Sequence, residues 1–447
     1  MKIIIAGAGA VGTHLAKLLS REKHDITVID ENIDNISDLG ANFDLLTVCA
    51  SPLSIEALRN ADVAKAKLFI AVTPDEAHNM TCCMLASKLG AKRTVARVDS
   101  YEYTLPENRD FFQTVGINSV IYPEMLAGKE IMNNIKRSWV RQWIEIQNGK
   151  LIMLGVKVRK GCNILEKSLR ELFGPDAPFH IVAVKRNEET LIPHGNDELH
   201  DGDVVYFMTT PEHVGSIREM TNKTNYPEVK NLFVMGGSST AVHALQNMPD
   251  YMHAKIFEPD AKRCEQLNQL IDNPRVLVIN GDGHDPNLLT DEGIAHAEAF
   301  AALSTNSEAN ILACLTAKRL GIQKTVAMVE DTDYIPVAEN LDIGSIINKK
   351  TFAASHIYQM MLKADVTTVK NLIVANADVA EFVTAEKAKV TRHDVMDLKL
   401  PQSVALGGIV RKGKGMLVNG RTRIQAGDIV VAFCLENTIK RLENYFN

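Results

Sequence analysis

Gly7, Gly9 and Gly12 stand in the run KIIIAGAGAVGTHLAKLL (residues 2–19), between a β-type stretch (Ile3 to Ala6) and a helical pattern (Val11 to Leu19). Three glycines at this spacing, after a strand and opening a helix, suit a pyrophosphate. The first permits the tight turn, the second lets the backbone approach the phosphates, and the third lets helix and strand pack closely. The helix N-terminus adds amide donors and its dipole. Asp30 closes the next strand, ITVID, 30 − 12 = 18 residues past the last glycine, where its carboxylate can accept both ribose hydroxyls. Glu31 and Asn32 follow it, with no arginine to receive a 2′-phosphate, so the pattern favours NAD over NADP.

Ligands of parallel sheets lie beyond the carboxyl ends of the strands. Two further strand ends should therefore face the same crevice: VCASPLS, with Ala50 and Ser51, and AVTPDEA, with Thr73. Ser51-Pro52 and Thr73-Pro74-Asp75-Glu76 also read as helix caps with proline at the first helical position, the latter a capping box. Arg97, ending RTVAR, can reach a phosphate as a forked donor or pair with Asp99 or Glu102.

Catalytic chemistry is harder to find. The 13 histidines form no metal-binding pair, and no nucleophile elbow or P-loop occurs. Asp282 and His284, in NGDGHDP, are the most site-like pair, but they read as helix capping. The seven cysteines are scattered without a C-x-x-C pair and read as reduced, mostly buried thiols. No metal site and no catalytic residue is assigned. The pattern points to a binding module.

The chain repeats itself. GAKRTVARVDSYEYTLPENRDF, from Gly90, returns as GIQKTVAMVEDTDYIPVAENLDI, from Gly321, at a spacing of 321 − 90 = 231. AGAGAVG returns as MGGSSTA (Met235 to Ala241), and Asp30 as Glu258. A shorter unit follows each: LHDGDVVYFM (Leu199 to Met208) mirrors IQAGDIVVAF (Ile424 to Phe433). Strands alternating with helices predict α/β architecture, two Rossmann-like doubly wound parallel-sheet domains, each followed by a small α+β domain. The expected boundaries are 1–137, 138–220, 230–362 and 363–447, with the polar stretch TNKTNYPEV (Thr221 to Val229) as the clearest break. The second copy departs from the first: Ser238 and Ala241 occupy the later glycine positions and Met328 replaces Arg97, so its site should be altered, weaker or empty.

A net charge of −6 gives no electrostatic reason to bind nucleic acid. No apolar run approaches the ~20 residues of a membrane span. Lys2 with the following apolar stretch imitates a signal peptide, but the pattern continues into an amphipathic helix and reads as mature fold. Trp139 and Trp143, among Arg137 and Arg141, read as packing of the first Rossmann-like domain on its α+β partner rather than as a docking patch.

The runs IIIAGAGAVGTHLAKLL, ITVIDEN, FIAVTPDEAHNM, RTVARV and GINSVIYPE, repeated more weakly after residue 230, resemble the TrkA family. These are cytoplasmic regulatory subunits of bacterial Trk potassium-uptake systems, built from two RCK (KTN) domains with a TrkA-C-like domain after each Rossmann-like lobe. The resemblance covers essentially the whole chain. It implies a protein peripheral on the inner face of the membrane, gating a separate Trk-type potassium-translocating subunit, and a homo-oligomer, dimer to tetramer, forming an RCK ring. It implies NAD or NADH as ligand, with ATP and ADP competing. Carried onto this chain, the first site comprises Gly7, Ala8, Gly9, Ala10, Val11, Gly12, Asp30, Ala50, Ser51, Thr73 and Arg97. The second comprises Gly236, Gly237, Ser238, Ser239, Thr240, Glu258, Gly281 and Asp282. The segments 123–136 and 351–362 resemble the crossover helices by which RCK domains pair. The residues alone leave two alternatives: an NAD-dependent oxidoreductase, or a soluble sensor whose α+β domains bind a small effector such as a cyclic dinucleotide.

Overall fold

Apolar, β-branched runs that stop at a glycine, an acid or a threonine become strands, and the amphipathic stretches between them become the helices that return the chain. The computed structural model describes all residues except 21–23, 175–176, 188, 362–365, 373–376 and 436–437. The expected break at 362/363 lies outside the described residues. Packing divides the chain into two units, Met1–Leu126 with Lys349–Leu362, and Ala127–Asn348 with Lys363–Asn447.

The first unit holds a parallel sheet of β1 (Lys2–Ala6), β2 (Asp25–Asp30), β3 (Leu46–Cys49), β4 (Leu68–Ala71), β5 (Thr94–Arg97) and β6 (Ser119–Ile121), in the order β3-β2-β1-β4-β5-β6. Ile3 pairs with Ile26 on one side and Leu68 on the other, so β1 is central and the order reverses beside it. Ile4, Phe69, Ala71, Cys82, Cys83 and Ala96 form its core. Because helices cover both faces, these strands read as continuous apolar runs rather than alternating ones. The first helix runs Ala10–Ser20, and the helix Lys349–Met361 packs against it.

Two helix starts differ from the sequence reading. The caps are Ser54, whose Oγ accepts from Ala57 N at 3.2 Å, and Asp75, whose carboxylate accepts from His78 N at 2.8 Å. Ser51 and Thr73 lie in the preceding turns. The Thr73 hydroxyl is taken by Asn79 at 2.7 Å, which leaves the cap to Asp75. The expected cap at Asp282 is likewise displaced: Asp285 caps the helix Pro286–Asp291, accepting from Asn287 N.

The second unit contains three sheets. A parallel sheet repeats the first: β12 (Asn231–Met235), β13 (His253–Glu258), β14 (Val276–Asn280), β15 (Ala299–Ala302), β16 (Lys324–Met328) and β17 (Ser345–Ile347), in the order β14-β13-β12-β15-β16-β17. The helix Pro123–Ile135 crosses close to the helix Ser239–Gln246, where a Cβ on Gly128 would fall 2.8 Å from Ala244 N. Only a glycine permits that approach.

The other two sheets are antiparallel. One orders β10 (Glu189–Leu191), β9 (Phe179–Arg186), β11 (Val204–Thr209), β8 (Leu151–Lys157) and β7 (Gln142–Ile146). The other orders β18 (Val366–Leu372), β19 (Ala377–Val383), β22 (Ile429–Leu435), β20 (Val404–Arg411) and β21 (Lys414–Leu417). They share one core, in which Leu151, Met153, Tyr206 and Met208 meet Val379, Ala405, Val431 and Phe433. Trp143 is buried in the opposite core of the first of these sheets, with Arg137 stacked 3.8 Å over its ring, and Trp139 packs on the same cluster. The tryptophans therefore hold the α+β domain together internally. The polar stretch after Met220 is also packed: Thr221 and Lys223 are buried, and the Cys162 thiol donates to Thr221 O at 3.0 Å.

Candidate nucleotide site

The residues singled out in the first copy converge where the strand order reverses. Gly7 adopts φ +103°, a conformation side chains disfavour, and a Cβ there would fall 2.9 Å from Thr73 N. A Cβ on Gly12 would fall 1.9 Å from Gly7 O, so the helix lies directly on the turn. Gly9 is different, with open space where its side chain would be. Two glycines thus serve packing, and the middle one leaves room for a ligand. The Thr13 hydroxyl ties back to Ala8 O at 2.8 Å and fixes the loop between them.

Asp30 is held by the same turn. One of its carboxylate oxygens accepts from Ala8 N at 2.6 Å and the other from Asn32 N at 2.8 Å. A carboxylate has about four acceptor positions, so capacity remains for hydroxyls. Ala50 N donates to Asp30 O at 3.1 Å, which brings the end of β3, with Ser51, against the same edge.

Sequence reading missed Asn79. Its buried amide accepts from Thr73 N at 2.8 Å and Thr73 Oγ1 at 2.7 Å, and donates to Thr73 O at 2.9 Å and Arg97 O at 3.0 Å. It clamps the ends of β4 and β5 together and aims both at the crevice. The signal was available: a polar residue one turn into a helix, repeated at 310 − 79 = 231, the spacing at which Gly90 returns as Gly321. Asn310 makes the same set of bonds, to Ser304 and to Met328 O.

Arg97 pairs with Asp99 at 3.0 Å, while its buried Nε has no hydrogen-bond partner among the described residues. Glu76 accepts from Asp99 N, Ser100 N and Ser100 Oγ, holding the loop that carries Asp99. An anion in the crevice would complete the arginine fork.

The second copy keeps the frame and changes the lining. Glu258 accepts from Gly237 N at 2.7 Å and Asp260 N at 3.1 Å, as Asp30 does from its own turn. Gly281 N donates to Glu258 O at 3.0 Å, and Gly236 takes φ +92°. Ser238, at the open glycine's position, turns its Oγ to Ala241 N at 3.2 Å and caps the helix that starts at Ser239 and Thr240. That amide is consumed within the protein. Arg263 Nε bonds Gly237 O at 2.7 Å, covering the turn. Asp282 accepts from His284 N and the His284 ring, both at 2.9 Å, and these bonds hold its carboxyl below the usual value.

Among the described residues no group of three or more His, Cys, Asp or Glu is arranged to hold a metal ion, and no helix is long and apolar enough to cross a membrane.

Comparison with known proteins agrees with this architecture. The TrkA-N domain model matches residues 3–123 and 232–349, and the TrkA-C domain model residues 153–222 and 379–447. The chain is 27% identical over its full length to the Trk system potassium uptake protein TrkA of Azorhizobium caulinodans, covering 98% of that protein. It is 29% identical to the protein of the same name from Haemophilus influenzae, again over 100% of this chain and 98% of the relative. The crystal structure of the GsuK RCK domain superposes with a TM-score of 0.60 at 15% identity, covering 100% of this chain and 94% of that one. The GsuK channel bound to NAD gives 0.58 at 16%, covering 100% and 78%. Two TrkA-N and two TrkA-C domains alternating along one chain, with full-length relatives of the same organisation, place this protein in the TrkA family.

Proposed function

We propose that this chain is a nucleotide-sensing regulatory subunit that gates a separate, Trk-type potassium-translocating membrane subunit from the cytoplasmic face. The carrying observation is the open space over Gly9 beside an Asp30 carboxylate already anchored on the Ala8 amide. NAD or NADH binds there, with ATP and ADP competing: the pyrophosphate over Gly7–Gly12, the ribose hydroxyls on Asp30, the flanks lined by Ala50, Ser51 and Thr73, and Arg97 on a phosphate. The potassium-uptake name carried by full-length relatives supports the role, and the NAD-bound channel of the same fold supports the ligand. The second site, around Gly236–Thr240, Glu258, Gly281 and Asp282, is the weaker one, because Ser238 and Arg263 occupy its turn.

The protein binds nucleotide as a signal and turns nothing over. Four copies form a ring of RCK lobes divided at about residues 137, 220, 230 and 362, with the helices Pro123–Ile135 and Lys349–Met361 as the pairing elements. Shifting a channel from 1:99 to 99:1 takes about 5.5 kcal/mol of differential binding, roughly 1.4 kcal/mol from each of four subunits. Calorimetric titration of NADH and ATP into the purified protein tests the assignment. Asp30→Ala should weaken the tight site roughly tenfold or more, and Glu258→Ala should leave it unchanged. Unchanged affinity in Asp30→Ala would refute it.

A further inference from the structure

Where the first antiparallel sheet meets the second parallel sheet, both within the second unit, six basic side chains line one cavity of about 60 Å³: Arg141, Lys157, Arg159, Lys223, Lys318 and Lys324. They come from separate elements. Arg141 precedes β7, Lys157 ends β8 and Arg159 follows it, Lys318 is on the helix Ser307–Arg319, Lys324 opens β16, and Lys223 lies in the turn after the helix Val214–Met220.

Among the described residues one carboxylate answers them. Asp342, in the left-handed turn before β17 (φ 54°), pairs with Arg141 and Arg159, accepts from Lys157 Nζ at 2.9 Å, and lies 3.5 Å from Lys318 Nζ. Lys223 and Lys324 have no carboxylate partner among the described residues, yet they are 6% and 3% exposed. Lys324 Nζ spends two of its three donors on Val140 O at 2.8 Å and Ser345 Oγ at 3.1 Å. Lys223 Nζ reaches the Tyr226 hydroxyl at 3.4 Å and lies 4.7 Å from the centre of that ring, contacts that supply no full negative charge. Two buried ammonium groups with donors to spare are costly unless an anion compensates them. The cavity is several times the roughly 10–15 Å³ that one water needs, enough for a central atom and four oxygens.

We propose that this cavity is a binding site for a compact tetrahedral oxyanion of the inorganic phosphate or sulfate type. Bound there, the anion would cross-link the first α+β domain to the second Rossmann-like lobe, away from the nucleotide turn. The electrostatics agree. Burial and the Arg141 charge bring the Lys324 ammonium down to about 7, so the group sheds its proton near neutrality when nothing offsets it. The charged and titratable groups lining the cavity with it are Arg141, Lys157, Arg159, Lys318, Lys223 and Tyr226, and Asp342 pairs with the first four of these. An anion would return the proton, so binding should take one up.

The test is calorimetric titration of the full-length protein with inorganic phosphate at ionic strength held constant with potassium chloride. Saturable binding should weaken roughly tenfold in Lys324→Met and in Lys223→Met, each first shown by urea unfolding to retain the fold, and should persist in Gly9→Ser. Sulfate, which does not titrate near neutrality, is then titrated above pH 7 in two buffers of different ionisation enthalpy. Proton uptake should appear in the wild type and vanish in Lys324→Met. Absence of saturable binding would overturn the proposal. So would binding lost in Gly9→Ser but kept in Lys324→Met, since that anion would sit at the nucleotide turn.

Discussion

Ala8 N donates to the Asp30 carboxylate at 2.6 Å, so the acid that would read a ribose is positioned by the turn that would hold the pyrophosphate. The two parts of the site are one hydrogen-bonded unit, set before a ligand arrives. The same link recurs between Gly237 and Glu258 at 2.7 Å, in a copy whose ligand-facing surface has changed. The link is therefore part of the fold, and the openness above it distinguishes the copies.

The glycines of the turn should separate accordingly. Gly12→Ala drives a methyl group into Gly7 O and should cost about 2–3 kcal/mol or more in chemical denaturation. Gly9→Ser meets open space and should fold like wild type, while losing NADH affinity because the new hydroxyl can cap the helix as Ser238 does. Equal stability of the two variants would contradict this reading of the turn.

Asn79 should matter for stability without touching the ligand. Asn79→Leu removes the partner of four polar groups on Thr73 and Arg97, and leaving buried groups unpaired costs about 1–3 kcal/mol each. We expect a loss of several kcal/mol, read from urea unfolding. Asn310→Leu should do the same to the second lobe.

Cys49 is the exposed thiol of the seven, at the end of β3 where it pairs with Asp30. Burial pushes the thiols of Cys82 and Cys314 up to about 12, and those of Cys83 and Cys434 higher still. One fast-reacting thiol per chain is expected in native alkylation, and saturating NADH should slow it. Mass spectrometry locating the fast label elsewhere would contradict the assignment.

Lys324 predicts a pH slope. Its folded value of about 7 lies below the unfolded value near 10.4, so between these the unfolded state binds the extra proton and stability rises with pH. The penalty is fully present below about pH 7. Lys324→Met should flatten the wild-type rise across pH 7–10, by up to about 1.4 kcal/mol per pH unit. Asp342 acts oppositely. Burial opposes its ionisation, but Arg141, Lys157 and Lys318 outweigh burial and hold it far below the usual carboxylate range. Its contribution is present above about pH 4 and is lost as the solution becomes more acidic.

The parallel sheets were legible because each strand is an apolar run ending in a turn residue, and because Gly7, Asp30, Thr73 and Arg97 each fall at a strand's carboxyl end. The duplication made the second lobe legible through the first. What the sequence hid was relational. Nothing local ranks Ser51 and Ser54, or Thr73 and Asp75, as caps; competition from Asn79 for the Thr73 hydroxyl decides the second case. The cationic cavity assembles from residues as far apart as Arg141 and Lys324, and Lys223 lies in a stretch whose polar composition suggests a solvated linker. Such a site depends on how elements stack, which periodicity does not encode.

Potassium uptake at limiting external potassium tests the central claim most directly, in cells lacking this gene and complemented with wild type or with Arg97→Met, the residue the second copy carries at Met328. Wild type should restore uptake, whereas the variant, equally abundant and folded, should not respond to the cellular nucleotide pool and should fail to restore it. Uptake indifferent to the gene, or restored equally by both proteins, would contradict it.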